Sequence, residues 1–322
     1  MTTPALRPAL RAVAIVACLP YICLKIAWVC GSRLGIPEHS VLLEHRVSMA
    51  VVNSGSVLMD GCVVLLALLL TRPWGLRVKA WLLAPPMWVA TGLLAPITTG
   101  YPLQLLVRAL GAGPNRPSGT GGAPFLDEWV FGVVYSGFIL QGLALGTLFA
   151  LYARDRWGHL WRGRIGELTD GPTRPAQRAA AVAAAALSLL PAGAHLTWAA
   201  GSTAGLSRGM AEGRTSDQYT LDAVFTFFVV LAAAGVVMLA FGLGRSLPLR
   251  VPLALAWLGS GATACWGGWL ALASFGSSGG PRDLPTALMH LTYAVQMITG
   301  ILVATVGAYF FAERSRQPDL TP

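Results

Sequence analysis

The sequence predicts an all-α integral membrane protein with eight transmembrane helices, arranged as two parallel four-helix repeats. Three observations lead to this prediction. Of the 322 residues, 55% are hydrophobic and only 11% are charged, whereas soluble domains average about 25% charged residues. Eight intervals of twenty or more residues carry at most one charged side chain, and one short motif occurs twice.

Each charge-poor interval is long enough to cross a bilayer as a helix. A hydrocarbon core of about 30 Å needs about 20 apolar residues in helical form. Only helices or closed barrels can span lipid, and these intervals lack the two-residue alternation of a barrel strand. The predicted helices are 10–30, 48–70, 79–100, 127–152, 178–200, 220–243, 251–274 and 285–311.

The basic residues predict the orientation of the chain. Arg7 and Arg11 precede a span that could pass for a signal peptide, but its apolar run is longer than a signal core, so we expect a retained first helix. The loops on one side carry 15 Lys and Arg, and those on the other side carry 7. The positive-inside rule therefore places both termini in the cytoplasm. The net charge of +9 is explained by these loops, and we expect no nucleic-acid partner.

The predicted repeat depends on two similar helix ends. The first helix ends KIAWVCGSRLG from Lys25, and the fifth ends HLTWAAGSTAG from His195, so that Lys25 falls opposite His195. Four positions are identical at a constant offset of 170 residues: Trp28 and Trp198, Gly31 and Gly201, Ser32 and Ser202, Gly35 and Gly205. We interpret these as a helix-end motif shared by repeats 1–153 and 178–322, which a cytoplasmic basic linker, 154–177, joins. Four helices per repeat makes the copies parallel, related by an axis along the membrane normal.

Three further features of the sequence concern the organism of origin, the loops and a resemblance to known proteins. Arginine accounts for 21 of the 23 basic residues, which indicates a GC-rich genome and a bacterial cell membrane. Gly-rich loops, 111–124 and 276–283, precede the fourth helix of each repeat. The pattern K/H-x-x-W-x-x-G-S-x-x-G resembles that of an uncharacterised family of actinobacterial multi-pass membrane proteins. The resemblance covers about a dozen residues in each copy and implies a fold type, but no activity.

Asp60 and Lys25 are the main candidates for a substrate or ion pathway. Asp60 lies near the middle of the second span, where a short carboxylate cannot reach the interface. It is expected to be ion-paired with Lys25, bound to a cation, or protonated. Lys25, Trp28 and Ser32 share one helical face, which fits either an interfacial anchor or the wall of an outward-facing cavity. Asn53, two turns from Asp60, is a further pathway candidate.

The histidines and the remaining carboxylates are weaker candidates. His195 occupies the position of Lys25 and can change its charge near neutral pH. His290, in the last span, is expected either to pack through a hydrogen bond or to join the pathway. Asp222 and Glu128 are interpreted as carboxylates favoured by the dipole at the start of a helix.

No cofactor or metal is predicted. His195 and His290 meet the minimum for bis-histidine haem ligation, but no other feature supports haem. The five cysteines form no CxxC pair, so neither a disulfide nor a cysteine metal site is expected, and no HExxH, GxSxG or Walker-type sequence occurs.

These observations favour a secondary transporter or permease-like protein with an intramembrane carboxylate. Its partners would be the lipid bilayer and a small-molecule or ion substrate. Two alternatives remain open: a non-catalytic membrane assembly or accessory subunit, and a membrane-embedded enzyme acting on lipid or quinone. The absence of catalytic motifs favours a protein that is not an enzyme.

Overall fold

The structure, a computed structural model, describes residues 5–38, 40, 43, 46–111, 126–168, 171–275 and 284–316. The Gly-rich loops predicted over 111–124 and 276–283 lie outside this range except for Gly111. Within the described ranges all the longer secondary-structure elements are helices, in this order: α1 Leu6–Val16, α2 Leu19–Val29, α3 Arg46–Leu69, α4 Ala80–Ala109, α5 Glu128–Trp157, α6 Arg174–Ala199, α7 Arg208–Glu212, α8 Ser216–Phe241, α9 Arg250–Phe275 and α10 Ala287–Arg314.

The first predicted helix is broken into α1 and α2. Pro20 lies in the first turn of α2, where its missing N–H and its ring prevent the helix from continuing unbroken through Val16. The break falls at Ala17 and Cys18, and the two segments still form one candidate membrane span, Leu6–Val29. The prediction of one continuous helix from 10 to 30 was therefore wrong in this detail.

Seven helices in the described ranges are long and apolar enough to cross a membrane. The prediction of a multi-pass helical protein is thus confirmed at this level. α9 has 26 residues but is not among the seven. Its sequence is rich in glycine, serine and tryptophan, which lowers its hydropathy. This composition suits a helix that packs against other helices more than against lipid.

The second half of the chain, α6 to α10, forms a closed bundle. α6 packs against α8 and α10, and α9 packs against the same two helices. Glycines allow close helix approach: a Cβ on Gly259 would lie 2.3 Å from Ala232 N, and one on Gly300 would lie 2.5 Å from Ala264 N. Such small residues are how membrane helices gain contact without a hydrophobic driving force.

The first half, α1 to α5, forms a more open bundle. α5 packs against α1 and α4, whereas α3 packs mainly against α1 and α2 and has no comparable backbone contact with α4. Only 17% of the membrane stretch of α3 is buried, compared with 50% of that of α8. Val47, Leu58 and Leu65 of α3 are 79%, 71% and 53% exposed. α3 is therefore the long helix that the rest of the protein holds least tightly.

The two bundles meet where α4 crosses α9, through a reciprocal pair of hydrogen bonds. Trp88 Nε1 donates to Ser260 Oγ over 2.9 Å, and Trp257 Nε1 donates to Thr91 Oγ1 over 3.0 Å. Both tryptophans and both hydroxyl residues are separated by the same 169 positions in sequence. Each helix thus offers the other the same donor and the same kind of acceptor.

Gly92 and Gly261, also 169 positions apart, form the centre of this crossing. A Cβ on Gly92 would lie 2.4 Å from Gly261 O, and one on Gly261 would lie 3.1 Å from Gly92 Cα. The backbones therefore touch at a point where any larger residue would force them apart. At the end of α4 the bundles are joined again, because Arg108 Nε donates to Asp217 Oδ1 over 2.9 Å.

The basic linker is folded against the second bundle. Two short 3₁₀ turns, Gly158–Trp161 and Ile165–Glu167, connect α5 to α6. The backbone N–H of Ile165 donates to Leu247 O, and that of Leu249 donates to Gly163 O. Ile165 is 2% exposed and belongs to the core of the second bundle. The linker is thus an anchored connection between the bundles.

Replacing Gly92 by alanine should destabilise the protein by about 1–3 kcal/mol, because the added methyl group overpacks the α4–α9 crossing. Gly307→Ala on α10 is the matched control, since a Cβ there meets no atom within 4 Å. Thermal unfolding in detergent would measure both. An equal effect of the two substitutions would contradict the close approach at Gly92.

Candidate functional site

The helix-end motif adopts the same geometry in both halves of the chain. Trp28 Nε1 donates to Leu34 O over 2.7 Å, and Trp198 Nε1 donates to Ala204 O over 2.9 Å. In each copy the indole therefore holds the segment that turns back after the helix. Both glycines of each motif have positive φ: 91° and 72° at Gly31 and Gly35, 97° and 77° at Gly201 and Gly205. Residues with a Cβ rarely adopt these angles, which explains why glycine stands at each position.

The serines complete the same turn. Ser32 Oγ accepts from Leu34 N and Ser202 Oγ accepts from Ala204 N, both over 3.2 Å. These bonds satisfy backbone donors in a segment that has left the helix. The residues at the four shared positions thus hold the same turn in both halves. The end of the bundles that carries these turns is called the motif end below.

Lys25 and Asp60 form a buried ion pair between α2 and α3. Lys25 Nζ lies 2.8 Å from Asp60 Oδ2, and the two side chains are 11% and 8% exposed. Of the three states expected for Asp60, the structure contains the ion pair. The pair neutralises two charges that would each be costly alone in the membrane.

Aromatic and amide groups surround the Lys25–Asp60 pair. Lys25 Nζ lies 5.0 Å from the centroid of the Tyr21 ring and 5.8 Å from that of Phe138, distances at which the ring faces attract a cation. The Tyr21 hydroxyl donates to Gln141 Oε1 on α5. α2, α3 and α5 therefore all contribute to this site, which we call the lysine site.

A groove lies beside the lysine site at the motif end, between the end of α2 and the first turns of α3. It is lined by residues 28–33, Leu43, Val47, Met49, Ala50 and Val51. Neither Lys25 nor Asp60 lines this groove. Trp28, one turn beyond Lys25, forms part of its wall, so the ion pair is separated from the groove by the helix-end motif.

His195 lies in a second buried cluster, formed by α6, α8 and α10. Its Nδ1 is 2.7 Å from Asp222 Oδ1, and its Nε2 is 3.1 Å from Gln296 Oε1. His195 is only 2% exposed. Its ring packs edge-on to Trp198 with centroids 5.2 Å apart. We call this cluster the histidine site.

Arg214 supplies the positive charge that balances Asp222. Its NH2 group lies 2.5 Å from Asp222 Oδ2 and 3.1 Å from Trp198 O, and its side chain is 3% exposed. The guanidinium also stacks over the ring of Tyr219, 4.7 Å from its centroid. Asp222 therefore accepts from an arginine on one oxygen and meets a histidine on the other.

The lysine and histidine sites use corresponding elements of the two bundles. Lys25 and His195 stand on the helix that carries the motif, and Asp60 and Asp222 stand on the next long helix. A glutamine of the last helix, Gln141 or Gln296, completes each site. The sites differ in their counter-charge, because the histidine site adds Arg214.

Two predicted pathway residues lie outside these clusters. Asn53 donates to Met49 O of its own helix over 2.9 Å and does not bond Asp60. His290 Nδ1 lies 3.1 Å from Ser274 Oγ, and its ring packs near Phe275. His290 thus behaves as a hydrogen-bonding packing residue, one of the two roles expected for it.

The sequence alone did not reveal the role of Asp222 in the histidine site. α8 begins at Ser216, four residues earlier than predicted, so Asp222 is in the second turn and not at the helix start. The dipole interpretation of this residue was therefore wrong. Asp222 lies 162 positions after Asp60, not 170, because Asp222 is the seventh residue of α8 whereas Asp60 is the fifteenth residue of α3; both helices begin eleven residues after the last glycine of the motif. Comparing the carboxylates helix by helix, without a fixed offset, would have paired the two.

The surroundings of His195 bear on haem and metal binding. Both of its ring nitrogens already face side-chain partners, which leaves neither pointing at an open axial position. Among the described residues, no group of three or more His, Cys, Asp or Glu could hold a metal ion.

No protein-family model matches the chain, and neither curated proteins nor solved structures gave a match. Function must therefore be inferred from the residues and their geometry.

Replacing Lys25 by methionine should destabilise the protein by about 3–5 kcal/mol, because it leaves a buried carboxylate without its partner. Combining it with Asp60→Leu should recover most of that loss, since the charge and its counter-charge are then both absent. Arg7→Ala is the control, because its pair with Asp155 is one-third to one-half exposed and worth less than about 1 kcal/mol. Denaturant unfolding in detergent would measure the coupling, and additive effects of the two substitutions would contradict the pair.

Proposed function

We propose that the protein is a secondary transporter, permease-like in design, with Asp60 as its intramembrane coupling carboxylate. Lys25 would be the counter-charge of Asp60 when no coupling ion or proton is bound. The observation that carries this proposal is the buried Lys25–Asp60 pair on the least tightly held long helix. An ion pair that must be broken to bind a cation is a suitable coupling device, because the released carboxylate can accept the positive charge in place of Lys25.

The proposal includes eight membrane crossings and a parallel repeat. α9 is 26 residues long, about 39 Å at the rise of an α-helix, which suffices for a crossing. Its position between α8, α10 and α4 supports a central span shielded from lipid. The repeat is supported by the shared turn geometry at the motif end and by the reciprocal tryptophan bonds between α4 and α9. Transporter repeats commonly place the substrate site near their interface.

The difference between the bundles suggests how the halves would divide the work. The second bundle is closed and would act as a fixed scaffold. The first bundle is open along the motif-end part of α3, where most side chains are exposed, so that this part of the helix could shift, whereas the last turns of α3 share a buried core with Leu83 and Met87 of α4. Movement of α3 would change the distance between Asp60 and Lys25. It would thereby open or close access for an ion or solute from the groove at the motif end to Asp60.

Coupled transport should be lost when Asp60 is replaced by asparagine, because the amide can neither bind a proton nor neutralise a cation. The measurement is charge movement in proteoliposomes, recorded as solutes are applied in turn under a proton or sodium gradient. Asp155→Asn is the matched control, since Asp155 is an exposed carboxylate paired with Arg7. Size-exclusion profiles would verify that both variants are folded. Unchanged currents in the Asp60 variant would exclude this coupling mechanism.

The orientation predicted from the loops is part of the same proposal: both termini in the cytoplasm of a bacterial cell, with the motif end facing outward. A reporter enzyme that is active only outside the cytoplasm should be inactive when fused after Pro322. The same reporter inserted in the external loop 111–124 should be active. The reverse pattern would invert the topology, and activity at both positions would mean an even number of crossings between them, which contradicts the five proposed.

A second candidate function, an accessory subunit, is favoured by one observation. α3 exposes several large apolar side chains and two glycines, Gly55 and Gly61, at which an added Cβ would meet no side chain or other helix within 4 Å. Another membrane protein could cover this face. In that case deletion of the protein would destabilise its partner, whereas Asp60→Asn would have no effect.

A further inference from the structure

Two buried threonines in the second bundle differ from the other threonines of the long helices. Thr263 on α9 and Thr299 on α10 are 1% and 0% exposed, and neither hydroxyl has a hydrogen-bond partner among the described residues. Elsewhere the hydroxyl usually donates to the carbonyl four residues earlier, as it does at Thr91, Thr98, Thr220, Thr226, Thr292 and Thr305. These two hydroxyls are turned away from that bond.

Thr263 and Thr299 lie at the same level of the bundle. α9 and α10 run antiparallel, with Gly267 against the backbone of Tyr293 and Gly300 against that of Ala264. This register places Thr263 opposite Thr299. Thr299 follows Gln296 by three residues, so the two share a face of α10, one turn apart.

The two hydroxyls therefore continue the polar surface of the histidine site toward the middle of the bundle. Gln296, one turn from Thr299, lies 3.1 Å from His195 Nε2 through its Oε1. A buried hydroxyl without a partner is costly, and two at one level indicate a shared partner. Water is the ligand of matching size and chemistry, because a buried water typically makes two to four hydrogen bonds to such groups.

We propose that the second bundle contains a proton-exchange site, in which water bound by Thr263 and Thr299 exchanges a proton with His195 beside Gln296. This site is independent of the transport role proposed for Asp60. In this site His195 and Gln296 act together in proton exchange, and water is the ligand of the two threonines.

The exchange needs only a proton transfer and the rotation of one amide. In the charged state, His195 Nε2–H donates to Gln296 Oε1 while Nδ1–H faces Asp222. When the Nε2–H bond breaks, its proton forms an O–H bond with water to give hydronium, and the electron pair stays on the nitrogen. Rotation of the Gln296 amide then directs its N–H toward that nitrogen. The reverse steps restore the first state.

The charged and titratable groups around His195 keep its Nδ1 side fixed. Asp222 on α8 faces Nδ1, Arg214 lies on the other oxygen of Asp222, and Tyr293 of α10 is nearby. α9 contributes no charged side chain between Val251 and Phe275. The exchangeable proton is therefore the one on the Gln296 side.

The experiment is ¹⁵N-histidine NMR of the full-length protein in lipid nanodiscs, with His195→Gln used to assign the His195 signal among the five histidines. Exchange of the His195 ring N–H with water is measured in the unmodified protein and in the double variant Thr263→Val/Thr299→Val. Valine keeps the shape of threonine but removes the hydroxyl. Exchange should be slowed severalfold in the double variant, and its melting temperature should fall because bound water is lost.

Thr292→Val is the matched control, because Thr292 is equally buried on α10 but bonds its own helix. It should leave the exchange unchanged. The two single variants provide the same comparison in case the double variant does not fold. Unaltered exchange in the valine variants, absence of exchange in the unmodified protein, or a rise in melting temperature would each overturn the proposal. None of these results depends on whether Asp60 supports transport.

Discussion

The lack of water inside a bilayer is the constraint on which this structure depends. A polar group in hydrocarbon has to find its partner within the protein. Lys25 has Asp60, and Asp222 has both Arg214 and His195. Each of these partners stands on a different helix or segment, so every pairing also fixes the position of one helix against another. The polar groups that are most expensive to bury thereby determine how the helices assemble.

The helix-end motif makes these pairings possible. A helix that reaches the membrane surface has unsatisfied carbonyls and a chain that must turn back. Glycines at positive φ permit the turn, and the tryptophan indole binds the returning backbone six residues later in both halves. The ionisable residue three positions before each tryptophan is thereby held at a defined height along the helix. Lys25 and His195 occupy the same position in the turn and differ only in the chemistry they bring.

The sequence predicted the elements better than it predicted the partners. Long apolar intervals located the main helices because the hydrocarbon core imposes a minimum length. The break before Pro20, the short helix α7 and the exact helix ends were not predicted, and α9 is not among the seven candidate spans. The motif was also readable, because its glycines and tryptophans are needed for local geometry. Arg214 was not identified, since nothing local distinguishes a loop arginine that turns inward from one that faces water. The role of Asp222 was hidden for a related reason: its partner, His195, lies 27 residues earlier on another helix, and Asp222 stands about two turns nearer the start of its helix than Asp60 does.

The contrast between the two bundles is an argument for a division of labour. If both halves were needed only for packing, selection for stability would close both in the same way, yet α8 packs closely against both α6 and α9, whereas α3 is largely exposed and shares a buried core with α4 only at its last turns. In the lysine site of the open half, one lysine faces one carboxylate, and the pair separates fully when one helix moves. In the histidine site of the closed half, the carboxylate is held from two sides, so movement of one partner still leaves it hydrogen-bonded to the other. In the proposed transporter, the lysine site would be the one that changes and the histidine site the one that keeps its arrangement, and the α4–α9 crossing at Gly92 and Gly261 would be the close contact against which the open half moves.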